Sequence, residues 1–396
     1  MDNILAREND NLVYITIHAQ EFFDTLRWYD GLVCPYCGEK HIWKFKDGTY
    51  RCSHCRKRFT DTSNTIFHAT KIPKSHWMVG FYLMAMGKNV ASEELSRYLG
   101  ITQKSCWYML HKIRMALDTS NIALEGNIAV DEVYLGGKWS SIIIPKKIDL
   151  LKRYGLWYEG QVKRTWNKRN ICRAISQYKQ PVYGMNDGKH IVLTAVPNRF
   201  DSKDLLQLTL QHTGNIERLI SDQSHLYKDI AETGIEVVQM NHSKGEYSKD
   251  GWSSNRIEGT FSHLKRRIRL QHVRPTKKYM QLYLNEFCFR WNNRNNNASQ
   301  RLVNIMRSCC NAGKITRKDV DQYNWEGKFH QREPKEYERI EDWMDRDIPW
   351  SLVKSITIDG IEYRRDDVER LAKLRYTKKD FEKLRATKLS EEKSED

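Results

Sequence analysis

The residues of this 396-residue chain whose types and spacing suit chemistry are four paired cysteines and a few acids closing apolar runs. Cys34-Pro-Tyr-Cys37 and Cys52-Ser-His-Cys55 are two Cys-x2-Cys knuckles with fourteen residues between them. Each knuckle turns tightly enough to aim two thiolates at one point, and two knuckles close a tetrahedral S4 site for Zn2+ with no position left for substrate. The expected zinc is therefore structural. Read instead as buried apolar thiols, the four would leave their paired spacing without a reason. Cys106, Cys172, Cys288, Cys309 and Cys310 lack a partner knuckle and suit small buried hydrophobes. The total of nine cysteines is odd, and no export signal precedes them, which argues against a disulfide framework.

The acids are Asp131, within Val130-Asp131-Glu132-Val133-Tyr134-Leu135-Gly136-Gly137, Asp222, closing the run from Glu217, and Glu258. Glu258 falls on an expected helix from about Ser254 to Arg269, with Asn255 one turn earlier on the same face. Carboxylates on two strands and a later helix can converge on two divalent cations, which activate a nucleophilic oxygen and stabilise a leaving one. Hard oxygen ligands favour Mg2+ or Mn2+. The same acids also fit a plain reading as strand-end and surface charges. Lys265 lies seven positions, two helical turns, beyond Glu258, and with Arg266, Arg267 and Arg269 after it makes a charge run whose nearness to these acids suits a DNA track.

These groups need elements to hold them. Between the knuckles, alternating His41 to Lys46, the turn Asp47-Gly48 and Thr49 to Arg51 predict a hairpin and hence a zinc ribbon. Residues 75 to 117 turn helical, and two short helices meet at Gly100, the second with Thr102 as its N-cap. That is a helix-turn-helix pattern, which also occurs in purely structural bundles. In a DNA reader, Gln103, Lys104 and Lys112 would face groove and backbone. Further on, strands are expected around Asp131, over Pro181 to Met185, Ile191 to Val196, 217 to 222 and 235 to 240, with helices over 202 to 212 and 225 to 233. Beyond residue 300, Ser355 to Ile358 and Ile361 to Arg364 flank Asp359-Gly360 as a hairpin, followed by a helix over 366 to 374.

Charge narrows the partners. Lys and Arg number 66 against 50 Asp and Glu, a net of +16, and the near-neutral tail leaves the excess in the main body. A basic body suits a polyanion, because each neutralised phosphate releases counterions. A long insertion, about 138–180, interleaves lysines and arginines with Trp139, Tyr154, Trp157, Tyr158 and Trp166, which suits phosphate pairing and base stacking. No stretch approaches the roughly 20 apolar residues of a membrane span, and the start, MDNILAREND, lacks a secretory apolar region. A cytoplasmic protein with no membrane partner is the expectation.

The runs Asn241-His242-Ser243-Lys244-Gly245-Glu246-Tyr247, Asn255 to Arg266 and Tyr283 to Arg294, together with Val130 to Lys138, resemble prokaryotic insertion-sequence transposases of the DDE type that carry an N-terminal zinc ribbon. The resemblance covers roughly residues 20 to 295. It implies an RNase H-like α/β fold, a mixed sheet with flanking helices, whose acids bind two Mg2+ or Mn2+ ions and drive hydrolysis and strand transfer of DNA. Asp131 and Asp222 match its first two catalytic positions. Its third position is Asn in some members and Glu in others, which leaves Asn255 and Glu258, with Glu258 the better ligand for a hard cation. The partners so implied are double-stranded DNA, as element ends and as target, and a second copy of the chain, since pairing two ends calls for two active sites. The expected layout is a zinc-ribbon segment over 1–70, a helix-turn-helix segment over 71–120, a catalytic domain over 125–300 and a small α+β accessory unit over 301–396. A descendant that keeps the DNA-reading modules without catalysis, and a zinc-stabilised nuclease acting on RNA:DNA hybrids, are the competing readings.

Overall fold

The computed structural model describes residues 8–29, 31–88, 91–136, 179–198, 200–222, 224–240, 248–249, 252–253, 255–272, 275–329, 355–358 and 361–364. The basic insertion, the run from Asn241 to Tyr247 and the helix expected over 366–374 lie outside these residues. Two compact units divide the chain, Met1–Ser141 with Ser176–Phe329, and Ile142–Ile175 with His330–Asp396. Of the second unit the described part is the hairpin Ser355–Ile358 and Ile361–Arg364, paired as its sequence predicts across Asp359-Gly360.

The first unit begins with helices α1 (Glu8–Ile17) and α2 (Ala19–Arg27), then the three short strands β1 (Ile42–Lys44), β2 (Tyr50–Cys52) and β3 (Arg58–Phe59) of the ribbon. Helices α3 (Lys74–Ala85), α4 (Ser92–Leu99) and α5 (Gln103–Ala116) follow. Gly100 takes the left-handed conformation, φ 64°, that ends α4, and Thr102 caps α5 by accepting the Ser105 N–H at 3.2 Å. Trp77, Phe81, Leu95, Met109 and Ile113 build a helical core with Phe23 of α2.

A later helix joins this core. Ala298–Asn311, labelled α10 in the order below, buries Leu302, Ile305, Met306 and Cys309, one stripe at helical spacing, against it. Residues from 301 onward, expected in a separate accessory unit, thus pack first into the helical core. The physical reason is that stripe, which has to be covered by some apolar surface.

The second layer is a five-stranded sheet of β4 (Leu124–Leu135), β5 (Gln180–Asn186), β6 (Ile191–Ala195), β7 (Thr213–Asp222) and β8 (Val237–Met240), in the order β6-β5-β4-β7-β8. Strands β4, β7 and β8 run parallel, and β5 runs antiparallel to both β4 and β6. This is the mixed, RNase H-like sheet expected from the sequence. Side chains alternate across it. Ile128 and Val130 face α6 (Ser202–His212) and α7 (Lys228–Ala231), while Ala129, Val133 and Leu135 face α8 (Asn255–Arg267) and α9 (Met280–Asn292). The helix expected over 225–233 is shorter, a 3-10 turn His225–Tyr227 running into α7. Helix α8 gives way to a π-helical turn, Ile268–His272, and the small strands Ser248–Lys249 and Trp252–Ser253 precede it as β9 and β10. Helices α10 and α11 (Arg317–Asp321) and the hairpin strands β11 and β12 complete the order.

Candidate active site and zinc centre

The ribbon assembles from its own turns. Hairpin β1–β2 closes over Asp47-Gly48, where the Asp47 carboxylate accepts the Thr49 N–H at 3.0 Å and Gly48 sits at φ 78°. The knuckles then meet, with Sγ–Sγ distances of 3.6 Å for Cys34–Cys55 and 3.6 Å for Cys37–Cys52, and all four sulfurs lie within 4.8 Å of one another. A soft S4 set of this kind fits structural zinc. Its apolar support is small: Tyr50 and Phe59 stack at 5.3 Å, with Trp28 against both.

The acids are placed by the sheet. The last recorded pair between parallel strands β4 and β7 is Ala129↔Ile220, and Asp131 and Asp222 each stand two positions beyond it. They therefore occupy corresponding places on adjacent parallel strands, Asp222 closing β7 and Asp131 four residues before the end of β4, toward the carboxyl edge where open α/β sheets bind their ligands. Helix α8 comes to them by burying Ile257, Thr260, Phe261 and Leu264. Its approach is close because β5 carries Gly184, the register partner of Asp131, where a Cβ would come within 2.6 Å of the Phe261 ring. The buried Asn186 amide anchors the start of α8, donating to Thr260 Oγ1 at 2.9 Å and to the Arg256 carbonyl at 3.4 Å. Asn255 and Glu258 are both exposed in its first turn.

Electrostatics records the convergence. Burial, together with the charges of Glu132, Asp222 and Glu258, pushes the Asp131 carboxyl from 3.8 up to about 7. The three acids are not drawn as tight as the thiols: among the described residues, the cysteine cluster is the one group of potential metal ligands gathered within 4.8 Å.

Two residues that the sequence left without a role stand beside these acids. Glu132 points to the opposite face of β4 from Asp131, accepts the Tyr227 hydroxyl at 2.6 Å, and is held above the usual carboxylate range by burial and by Asp222. Its acidity was visible in the sequence, but nothing there connected it to a tyrosine 95 positions on.

The basic residues divide. Gln103 and Lys104 are exposed at the start of α5, with the Gln103 amide donating to Ser92 Oγ at 3.2 Å. Lys265, Arg266 and Arg269 are exposed along and after α8. Lys112 departs from expectation: it is half-buried, its ammonium donates to the Ile66 carbonyl at 3.2 Å, and burial lowers its pKa. Arg267 likewise turns inward, half-buried within reach of the Glu286 charge. The helix-turn-helix pattern and the basic run that suggested these two for DNA do not tell which turn of a face packs against a neighbour. Glu286, 1% exposed, in turn binds Arg114 Nε at 2.7 Å and Arg290 Nε at 3.0 Å, tying α5 to α9.

No helix among the described residues is long and apolar enough to cross a membrane. Residues 123–292 match the ISXO2-like transposase domain, and residues 17–58 match the transposase zinc-ribbon domain. The chain is also similar to an uncharacterized protein in transposable element ISH50 of Halobacterium salinarum, with 25% identity over 123 residues. That stretch is 30% of this chain and 41% of the relative, so the chain spans about two-fifths of the relative's length. No solved structure matches the chain. The two family matches cover both the ribbon and the acid-bearing sheet and bear out the resemblance drawn from the sequence.

Proposed function

We propose that this chain, whose residues 123–292 and 17–58 match transposase domains, cuts and joins DNA at the ends of its own element, using Asp131, Asp222 and Glu258. What supports this reading is that Asp222 and Glu258, from two other elements, lie near enough to Asp131 for their charges to act on it. The high proton affinity of Asp131 reflects its burial and, with it, the charges of Glu132, Asp222 and Glu258. A set of hard oxygen donors with unbalanced negative charge suits Mg2+ or Mn2+. Such cations, when bound, activate an attacking oxygen and stabilise a leaving one.

The chain's own residues do the rest. Asp131 and Asp222 offer oxygens from rigid strand ends, and Glu258 offers a third from the first turn of α8. Asn255, a neutral and weaker donor, lies one turn earlier on the same face. Lys265, Arg266 and Arg269 extend from the site along the exposed face of α8, where they suit the phosphates of a DNA duplex. Gln103 and Lys104, at the start of the second helix of the helix-turn-helix pair, are placed as such helices place their base readers. The partners are double-stranded DNA, as element end and target, and at least one further copy of the chain, since two ends must be cut together.

The test is strand cleavage and joining on a plasmid bearing the gene's flanking sequences, with Mg2+ or Mn2+, comparing wild type with Asp222→Asn. Products that both chelator and the substitution abolish are expected. Equal DNA affinity with no cleavage by either protein under any metal would replace the enzyme with a DNA-binding descendant.

A further inference from the structure

Strand pairing brings Asp131 and Asp222 onto adjacent strands but ends two positions before each of them. Recorded pairing of β4 with β7 stops at Ala129↔Ile220, after which β4 continues beside β5 as far as Leu135↔Gln180, and β7 beside β8 as far as Asp222↔Met240. The two acid-bearing ends thus lean on different neighbours. Among the described residues, a side-chain bond ties β4 to the turn that follows β7. The turn His225–Tyr227, which begins three residues beyond Asp222, brings the Tyr227 hydroxyl to 2.6 Å from Glu132 Oε1, next in sequence to Asp131.

Both ends of this bond are held. The Tyr227 side chain is 1% exposed and packs in the apolar layer with Tyr183, Leu205 and Ile230. Tyr183 is the register partner of Glu132, and its own hydroxyl is engaged with Thr209 Oγ1 of α6 at 2.9 Å, so it does not compete for the carboxylate. A phenol donating to a carboxylate is a charge-assisted bond, stronger than a neutral one. Buried as it is, neither partner can exchange the other for water without loss. Strand alternation sends Glu132 to the face opposite Asp131, which suits a support rather than a ligand.

We propose that Tyr227 and Glu132 form a strut across the ends of β4 and β7 that fixes the separation at which Asp131 and Asp222 hold a divalent cation. They are positioning residues. This inference rests on the metal-dependent reading above, and the experiment separates the two. The full chain, its ribbon loaded with zinc, is titrated with Mn2+, and free Mn2+ is read by electron paramagnetic resonance for wild type, Tyr227→Phe, Glu132→Gln and Asp222→Asn. Partners that orient metal ligands typically contribute about ten- to a hundredfold in affinity. Tyr227→Phe is expected to weaken Mn2+ binding by about tenfold and to raise in parallel the Mg2+ concentration that gives half-maximal cleavage. Glu132→Gln keeps an oxygen for the phenol and is expected to stay closer to wild type.

A Tyr227→Phe protein that binds Mn2+ as wild type does, even with a lowered melting temperature, would make the bond merely structural and overturn the proposal. So would a Glu132→Gln protein that loses as much as Tyr227→Phe, since charge rather than the bond would then be responsible. If Tyr227→Phe does not fold, the double variant Tyr227→Phe with Glu132→Leu removes both ends without stranding a buried carboxylate and is read in the same way. Wild-type Mn2+ binding that Asp222→Asn leaves unchanged would instead sink the metal site itself, and the strut with it.

Discussion

The zinc ribbon and the carboxylate edge are both sets of anionic side chains aimed at a cation, yet they are built in opposite ways. The four thiols come from two short turns within 22 consecutive residues, Cys34 to Cys55, and close to within 4.8 Å around little apolar support. The acids come from two strands and a helix and are brought together by a large core that would exist without them. A site made of local turns needs its ion to fold, whereas a site set on a finished sheet holds its charges in place whether or not an ion relieves them. The difference teaches where each region is fragile.

Removing zinc tests the first half of that contrast and carries the largest effect. Structural zinc in such modules contributes about 10–16 kcal/mol, far more than Tyr50 and Phe59 can supply. Chelation, or Cys52→Ser, is expected to unfold residues 31–59 and leave the sheet intact, as limited proteolysis and backbone amide spectra would show. Loss of the whole fold on chelation would break the contrast.

The carboxylate site should instead answer to distant packing. Glu286→Ala takes the carboxylate from Arg114 and leaves Arg290 with the Lys88 carbonyl, and breaking a buried ion pair from one side costs about 3–5 kcal/mol. The expected result is a lower melting temperature for the sheet and helical core, with the zinc content still one ion per chain. Melting unchanged from wild type would show that the clasp contributes little.

A smaller change aims at the approach of α8. Gly184→Ala puts a methyl group into the Phe261 ring, and overpacking of this kind costs about 1–3 kcal/mol. Because the displaced helix carries Glu258, cleavage is expected to fall further than stability does. Equal cleavage by variant and wild type would show that the helix tolerates displacement.

A further effect is one of pH, and its sign sharpens the comparison. With its pKa at about 7 in the folded chain against 3.8 ordinarily, Asp131 binds a proton more tightly folded than unfolded. Its contribution to stability is therefore greatest at low pH and is lost as pH rises from about 4 to about 7, the reverse of a salt-bridged aspartate. In zinc-loaded protein without added Mg2+, Asp131→Asn is expected to melt higher than wild type above pH 7 and to lose that advantage in acid. Added Mn2+ should stabilise wild type more above that pH than below it. Melting curves across the range decide the matter, and a constant difference would rule out the shifted carboxyl.

Much of this molecule was readable from residue order. The knuckle spacing, the Asp47-Gly48 hairpin, the Thr102 cap with Gly100 before it, the helix over 202–212 and the C-terminal hairpin all depend on interactions within a few residues, which local sequence encodes directly. Asp131, Asp222 and Glu258 could be picked out by type and by their place at the ends of elements. Tertiary structure decided what no local rule reaches. Strand pairing set Asp131 and Asp222 side by side, a glycine on a third strand let α8 approach, and packing turned Lys112 and Arg267 inward while leaving Lys265 and Arg266 outside. It also joined Tyr227 to Glu132 and sent residues 298–311 into the N-terminal helical core. The physical reason is one of range. Turns, caps and periodicity are settled by neighbours in sequence, but which face of an element is covered, and by what, depends on surfaces that only the folded chain brings together.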